Sequence, residues 1–325
     1  MTISVTIPVY NEESNLRPLC ARLVPVLESL GIPWEVVLVN DGSTDATAGV
    51  LDALAAQDAR LKVIHFRRNA GQTAAMMAGF EYARGDIIVP MDADMQNDPG
   101  DIPLLLDKLN EGFDVCSGWR KDRHDHSLRR VLPSRIANWL ISKVSGVHLH
   151  DYGCSLKAYR RDVIKGVRLY GEMHRFIPIY AHWLGAKVTE VPVRHHPRVA
   201  GKSAYGLERI FKVLLDLVVV KFLDRYAQKP IYVFGGFGLL NFLVSLVAGL
   251  CAIYLKFWDG ISFIQTPLPL LVVMAAITGV MCVLLGLVAE MVTRSWHESR
   301  DKGTYIVGET RNLEGGNITA GGRDQ

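Results

Sequence analysis

Cysteine is scarce and scattered in this chain. Cys20, Cys116, Cys154, Cys251 and Cys282 form no CxxC pair, and their number is odd. This argues against a disulfide framework or a thiolate zinc site and fits a reducing compartment for the globular part. Net charge is also low: +3 over 325 residues gives nucleic-acid binding no global electrostatic support. No glycine-rich GxGxxG turn follows the first strand-like segment, which disfavours a dinucleotide-binding Rossmann domain. A leader is missing too. Met1 runs into ISVTIPVY without a basic n-region or cleavage site, so this segment is expected to be structural and cytoplasmic.

Charge itself is absent from two long stretches, Pro230 to Leu255 and Gly260 to Ala289. Each exceeds the roughly 20 apolar residues that cross a bilayer core, and two in succession suit membrane spans better than buried core helices. Arg225 and Lys229 precede the first span, and Arg294, Arg300 and Lys302 follow the second, with only Lys256 and Asp259 between them. The positive-inside rule then puts both ends in the cytoplasm. Two segments have the period of interfacial helices: YGLERIFKVLLDLVVVKFLDRY before the first span, and Leu128 to Val144. A core helix is the alternative for the first, whose middle is apolar all round. The expected division is 1–206 for the globular domain, 207–229 for the interfacial helix, 230–256 and 265–293 for the spans, and 294–325 for a cytoplasmic tail. Within the tail, GTYIVGE reads as a strand that a neighbouring subunit could accept, making a homo-oligomer an open expectation.

Before the spans, strand and helix alternate. ISVTIPVY, WEVVLVND, LKVIHF and DIIVPMDAD read as buried strands separated by helical segments, which predicts an α/β fold with a parallel sheet covered on both faces. Ligands of such sheets bind beyond the carboxyl ends of the strands. Those ends carry Asn40-Asp41-Gly42-Ser43-Thr44-Asp45 and Asp92-Ala93-Asp94-Met95-Gln96. In an extended chain Asp92, Asp94 and Gln96 share one side, and their oxygens suit Mg²⁺ or Mn²⁺ shared with a diphosphate. Asp45 or Thr44 is expected to cap the following helix, leaving Asp41 to face a nucleotide base or ribose. His195 and His196 are adjacent, so strand alternation would separate them, and His124 and His126 fall in a charged loop; a histidine metal site is not expected.

The segments IPVYNEE, VLVNDGSTD, RNAGQTAAMMAGF and MDADMQNDPGDIP occur in that order, and the pattern resembles glycosyltransferase family 2, inverting enzymes with a GT-A nucleotide-diphospho-sugar transferase domain. Within it the chain is similar to the polyprenyl-phosphate glycosyltransferases, a group that includes dolichyl-phosphate mannose synthases, bactoprenol glucosyltransferases and undecaprenyl-phosphate 4-deoxy-4-formamido-L-arabinose transferases; DYGCSLKAYRR from Asp151 resembles the last most. The resemblance implies a GT-A domain followed by two transmembrane helices in the inner membrane, with the catalytic domain cytoplasmic. It implies that Asp41 contacts the nucleotide, with Pro8, Tyr10 and Glu12 lining its pocket, and that Asp92, Asp94 and Gln96 hold the metal and diphosphate. It further implies that Arg120, the Arg130–Ser134 pair and Arg198 bind the acceptor phosphate. Asn40 stands where aspartate is commoner and Ala204 where lysine is usual, with Lys202 as a substitute for that charge.

The acceptor implied is a lipid phosphate monoester carrying about −1.5 to −2 charge at neutral pH, so it needs placement more than deprotonation. Asp151 is left with three roles: orienting the sugar, acting as a residual base, or fixing a nearby arginine. Two other readings compete. A processive polysaccharide synthase would need more spans and a Gln-x-x-Arg-Trp motif, where this chain has GEMHRFIP at Gly171 to Pro178. A catalytically silent scaffold for nucleotide-sugar or lipid is disfavoured by the intact Asp92/Asp94 pair.

Overall fold

The computed structural model describes residues 1–121, 141–143, 145–165, 173–197, 231–298 and 305–313. The candidate interfacial helices at 128–144 and 205–226 lie almost wholly outside these residues. Chain contacts divide the protein into two units, Met1–Leu217 with Lys302–Gln325, and Val218–Asp301.

The first unit begins as β1 (Ile3–Val9), α1 (Glu13–Ser29), β2 (Trp34–Asn40), α2 (Thr47–Gln57), β3 (Leu61–Phe66), α3 (Gln72–Tyr82) and β4 (Ile87–Pro90). These four strands run parallel in the order β4-β1-β2-β3. Why the strands are apolar throughout is visible on β2. Val36 and Leu38 face a core containing Leu16, Leu23 and Leu51 from the first two helices, while Val37 and Val39 face Ala75 and Ala78 of α3. Both faces are covered, so period-2 alternation of polarity has no place.

The sheet then departs from a purely parallel pattern. After α4 (Ile102–Asn110) come β5 (Val115–Trp119), β6 (Lys157–Arg160), α5 (Arg161–Lys165), α6 (Ile177–Trp183) and β7 (Val188–Pro192). Strand β6 pairs antiparallel with β4 and β5, and β7 runs parallel to β5. The opposite edge is closed by β8 (Val307–Arg311), antiparallel to β3 of the same chain, to give, among the described residues, eight strands in the order β7-β5-β6-β4-β1-β2-β3-β8. Tyr305 stacks on Phe66 at 4.8 Å between ring centroids, and the Asn312 amide donates to Ala55 O at 2.7 Å and Leu61 O at 2.9 Å. The tail strand thus belongs to the globular unit, and its partner here is the chain's own edge.

At the amino ends of the strands a buried polar knot ties the sheet together. Ser4 Oγ donates to Glu35 at 2.5 Å, Arg84 N donates to the same carboxylate at 2.6 Å, and Lys62 Nζ pairs with it. Burial alone would push the Glu35 carboxyl up; the Lys62, Ser4 and Arg84 donors outweigh it and hold Glu35 below the ordinary range.

The second unit contains α7 (Ile231–Phe257) and α8 (Leu268–Glu298). The windows Tyr232–Phe257 and Leu268–Ala289 have mean hydropathies of 2.1 and 2.7, and only 17% of each is buried. A core helix of a soluble protein would be mostly buried, so helices this apolar and this exposed are suited to lipid. A small-residue seam joins them. A Cβ on Gly238 would stand 3.0 Å from Gly279 O, and Ser245 Oγ donates to Val272 O at 2.9 Å.

Candidate active site

The carboxyl ends of β1, β2 and β3 are knotted by short polar side chains. Asn11 takes a left-handed conformation at φ 54°, which asparagine tolerates, and its Oδ1 accepts from Thr44 N at 2.8 Å. Asn11 N donates to Ser43 Oγ at 3.0 Å. Gly42 has φ +65°, and a Cβ there would sit 2.5 Å from the backbone of Arg68 and Asn69, so only glycine lets these two loops meet.

Asp41 is buried beneath them. Its carboxylate accepts from Ala70 N at 2.7 Å and Gly71 N at 3.0 Å. Burial raises its pKa, against the pull of those two N–H groups. Asp41 therefore organises the β3–α3 loop. Tyr10 stands exposed just past β1, and Pro8 is half-buried on that strand. Glu12 N donates to Thr47 Oγ1 at 3.0 Å, and its carboxylate accepts from Asn15. Asp45 accepts from Thr47 N at 3.0 Å at the start of α2, while Thr44 is engaged with Asn11.

Strand β4 stops at Pro90, so the carboxylates beyond it are not extended as the i, i+2, i+4 spacing assumed. They lie in a turn, with Met95 at φ 60°. A left-handed methionine is costly, and such backbone concentrates at functional loops. Asp92 accepts from Gln72 Nε2 at 2.9 Å, and Asp94, largely buried, accepts from Gln96 N at 3.2 Å. The donor set available is hard oxygen from two carboxylates and one amide. That suits a divalent cation completed by substrate oxygens, since Mg²⁺ commonly takes only one or two protein carboxylates. Among the described residues no three His, Cys, Asp or Glu side chains converge on one point.

The turn is braced from two sides. Asn97 Nδ2 donates to Ser155 Oγ at 2.7 Å. His196 N donates to Gln96 O at 2.9 Å, and the His196 ring meets Asp98 at 3.1 Å. His195 Nδ1 lies 3.3 Å from Gln96 O. Alternation does not separate these histidines, because β7 ends at Pro192 and only an isolated bridge, Asn97 with His195, follows. Both engage the turn that carries Gln96.

Beyond Ser155 lies the arginine site. Arg120, just past β5, donates through Nε to Asp151 Oδ2 at 2.7 Å and through Nη2 to Oδ1 at 3.0 Å. Gly153 N adds a donor to Asp151 Oδ1 at 3.0 Å. Trp119 stacks on His150 at 4.4 Å, so consecutive residues of the two segments pair twice. Asn97, next to the carboxylate turn, meets the 151–155 segment at Ser155, so Asp151 and its partner Arg120 are tied to that turn through one short stretch of chain. Arg130, Ser134, Arg198 and Lys202 lie outside the described residues.

Lys157 is the residue that sequence reading passed over. It is buried on β6, its Nζ donates to Tyr152 O at 3.1 Å, and burial lowers its pKa to about 8. Asn97, Gln72 and the two histidines were likewise unassigned, because their partners are distant in sequence.

The glycosyl transferase family 2 signature matches residues 4–168. Dodecaprenyl-phosphate galacturonate synthase of Rhizobium johnstonii is 40% identical over 94% of this chain and 92% of its own length. Undecaprenyl-phosphate 4-deoxy-4-formamido-L-arabinose transferase of Shewanella sediminis is 37% identical over 94% and 91%. Glucosyl-3-phosphoglycerate synthase of Mycobacterium tuberculosis, solved with Mn²⁺, uridine diphosphate and phosphoglyceric acid, superposes with a TM-score of 0.52 at 19% identity, covering 69% of this chain and 78% of that one. That likeness establishes the fold as GT-A. A signature spanning the loops that carry Asp41, the carboxylate turn, Arg120 and Asp151, with relatives aligned over nearly the whole length, makes this chain a glycosyltransferase belonging to glycosyl transferase family 2.

Proposed function

We propose that the enzyme transfers a sugar, with inversion, from a nucleotide-sugar to a polyprenyl phosphate, undecaprenyl phosphate in particular, for cell-envelope glycan or lipid modification. The observation that carries this reading is the paired architecture. The carboxylate turn and the Arg120–Asp151 pair, linked through Asn97 and Ser155, lie in the globular unit, and the same chain bears two lipid-suited helices. Relatives named for dodecaprenyl-phosphate and undecaprenyl-phosphate products align through both parts. In this reading the chain is multi-pass in the inner membrane. The flanking Arg225, Lys229, Arg294, Arg300 and Lys302 keep the globular unit cytoplasmic, where nucleotide-sugars are made.

The donor nucleotide rests on the Pro8, Tyr10, Glu12 and Asp41 loops, and its diphosphate extends toward Asp92 and Asp94. Those carboxylates, with Gln96, would hold a Mg²⁺ or Mn²⁺ ion, which when bound neutralises charge on the leaving diphosphate. Arg120 presents its guanidinium to the acceptor phosphate, with Arg130, Ser134, Arg198 and Lys202 as further phosphate ligands. Arginine matches phosphate in bidentate geometry, so these residues align the nucleophilic oxygen behind the anomeric carbon. The phosphate monoester is already anionic and needs no strong base. Asp151, its oxygens engaged by Arg120 and Gly153, fixes the arginine instead of taking a proton.

Mass spectrometry of lipids formed from undecaprenyl phosphate and a panel of nucleotide-sugars tests the reading. A sugar-phosphoryl-undecaprenol product supports it. Sugar released only as the free hexose or pentose, or found only on protein, overturns it.

A further inference from the structure

One chain of hydrogen bonds leads from the donor turn to the C-terminal strand. Asn40, buried at the end of β2, accepts from Ser43 N at 3.0 Å and faces His65 Nδ1 at 3.0 Å. His65 Nε2 lies 3.2 Å from Asp52 Oδ1 on α2. The same Asp52 oxygen receives Arg311 Nε at 3.0 Å from β8.

The direction of every link follows from chemistry. A backbone N–H only donates, so the Asn40 atom that meets Ser43 N is the amide oxygen. The amide NH₂ therefore faces His65 and requires a lone pair on Nδ1. The ring proton then resides on Nε2, where it donates to Asp52. Asp52 is shared between that imidazole and the Arg311 guanidinium. Moving Arg311 alters the acceptor that orients His65, and with it the ring that holds Asn40.

Strand β8 is well placed to act as one piece. Arg311 sits opposite Val63 in the β3–β8 ladder. The next residue, Asn312, is left-handed at φ 57° and donates to the carbonyls of Ala55 and Leu61, so the strand is also fastened to the end of α2.

We propose that Arg311, Asp52 and His65 are positioning residues for the donor turn, so that docking of the C-terminal strand and binding of the donor nucleotide reinforce each other. This rests on reading the Asn40–Asp45 turn as the nucleotide pocket. It means that a segment placed after both apolar helices tunes the donor site at the start of the chain. Linkage requires the converse as well: nucleotide must tighten the strand. The Arg311–Asp52 end is half exposed, and exposed pairs contribute little, so the expected effect is modest, about three- to fivefold in affinity.

The test uses the full-length protein in detergent, with uridine diphosphate and then guanosine, cytidine and thymidine diphosphates as calorimetric probes. Arg311→Ala should raise the dissociation constant of the nucleotide that binds by about three- to fivefold. In a His65→Leu background the same substitution should change it less than about twofold, because the link is already cut. Donor KM should rise while acceptor KM stays constant, and Arg311→Lys should restore part of the affinity. Hydrogen exchange on the wild type needs no substitution: bound nucleotide should slow exchange at Val307–Arg311. Unchanged affinity in Arg311→Ala, equal losses in both backgrounds, or unchanged exchange in β8 overturns the coupling. If no nucleoside diphosphate binds the wild type, the donor-pocket reading fails instead.

Discussion

Asp151 holds Arg120 at two points, Nε to Oδ2 at 2.7 Å and Nη2 to Oδ1 at 3.0 Å, with both side chains largely withdrawn from solvent. Breaking such a pair from one side leaves an uncompensated charge, which typically costs about 3–5 kcal/mol locally. Asp151→Asn should therefore reduce transfer by more than about 100-fold while nucleoside diphosphate affinity changes less than about twofold. The pH dependence of the residual rate should keep its wild-type shape. Loss of an acidic limb from that profile would make Asp151 a proton acceptor instead.

Gly153 offers a gentler probe of the same pair. A methyl group there would come within 3.1 Å of Arg120 Nη2, close enough to displace the guanidinium slightly. If Arg120 binds the acceptor phosphate as proposed, Gly153→Ala should raise acceptor KM about tenfold with donor KM unchanged, since misplacing that guanidinium weakens acceptor alignment. Steady-state kinetics with each substrate varied in turn checks this.

Asp94→Asn tests the carboxylate turn. The variant keeps the shape of the side chain and loses its charge, so folding and membrane insertion should be unchanged while transfer falls by more than about tenfold at saturating Mg²⁺ or Mn²⁺. Activity closer to wild type than that would remove Asp94 from the metal role.

Lys157 makes a prediction about pH. Its pKa is lowered to about 8 by burial, against an ordinary value of 10.5. The unfolded chain thus binds more protons between about pH 8 and 10.5, and the Lys157 contribution to stability rises with pH across that window. Below about pH 8 the buried charge exerts its full penalty. Comparing wild type with Lys157→Met by denaturant unfolding in detergent, the difference should shift toward the wild type as pH rises from about 8 toward 10.5. A difference independent of pH would mean that Lys157 keeps its ordinary pKa in the fold and stays charged across that range.

The fold was legible where the sequence is repetitive in its physics. Four apolar segments with helices between them specify a covered parallel sheet, and two uncharged stretches specify the hairpin. The antiparallel β6 and the closing β8 were not readable in that way, because Lys157–Arg160 and Val307–Arg311 are short and partly polar, and only their distant partners make them strands. At the site, Asp92 and Asp94 announce themselves by type and position. The turn at Met95 does not, since left-handed methionine has no sequence signal. Lys157, Asn97 and His196 were hidden for the same reason: each is defined by contacts some 5 to 98 residues away along the chain.

The closing strand also sets a limit on truncation. A chain ending at Lys229 lacks β8, exposing the β3 edge and the face of Phe66 that Tyr305 covers. Unpaired edges favour aggregation. Such a truncation should be less soluble and less stable than the same residues joined to 305–313 through a flexible linker. Thermal unfolding of the two forms checks this, and equal midpoints would contradict it.

The central claim is that the acceptor is a lipid phosphate. It is tested most directly by incubating the purified full-length enzyme with a radiolabelled nucleotide-sugar and, in parallel, undecaprenyl phosphate, undecaprenol and a water-soluble phosphate monoester. The account predicts label in the organic phase with undecaprenyl phosphate and divalent cation, and at least about 100-fold less with the alcohol, which lacks the charge that Arg120 binds in the proposed reading. Efficient labelling of undecaprenol, or of the soluble acceptor at a comparable rate, would contradict it.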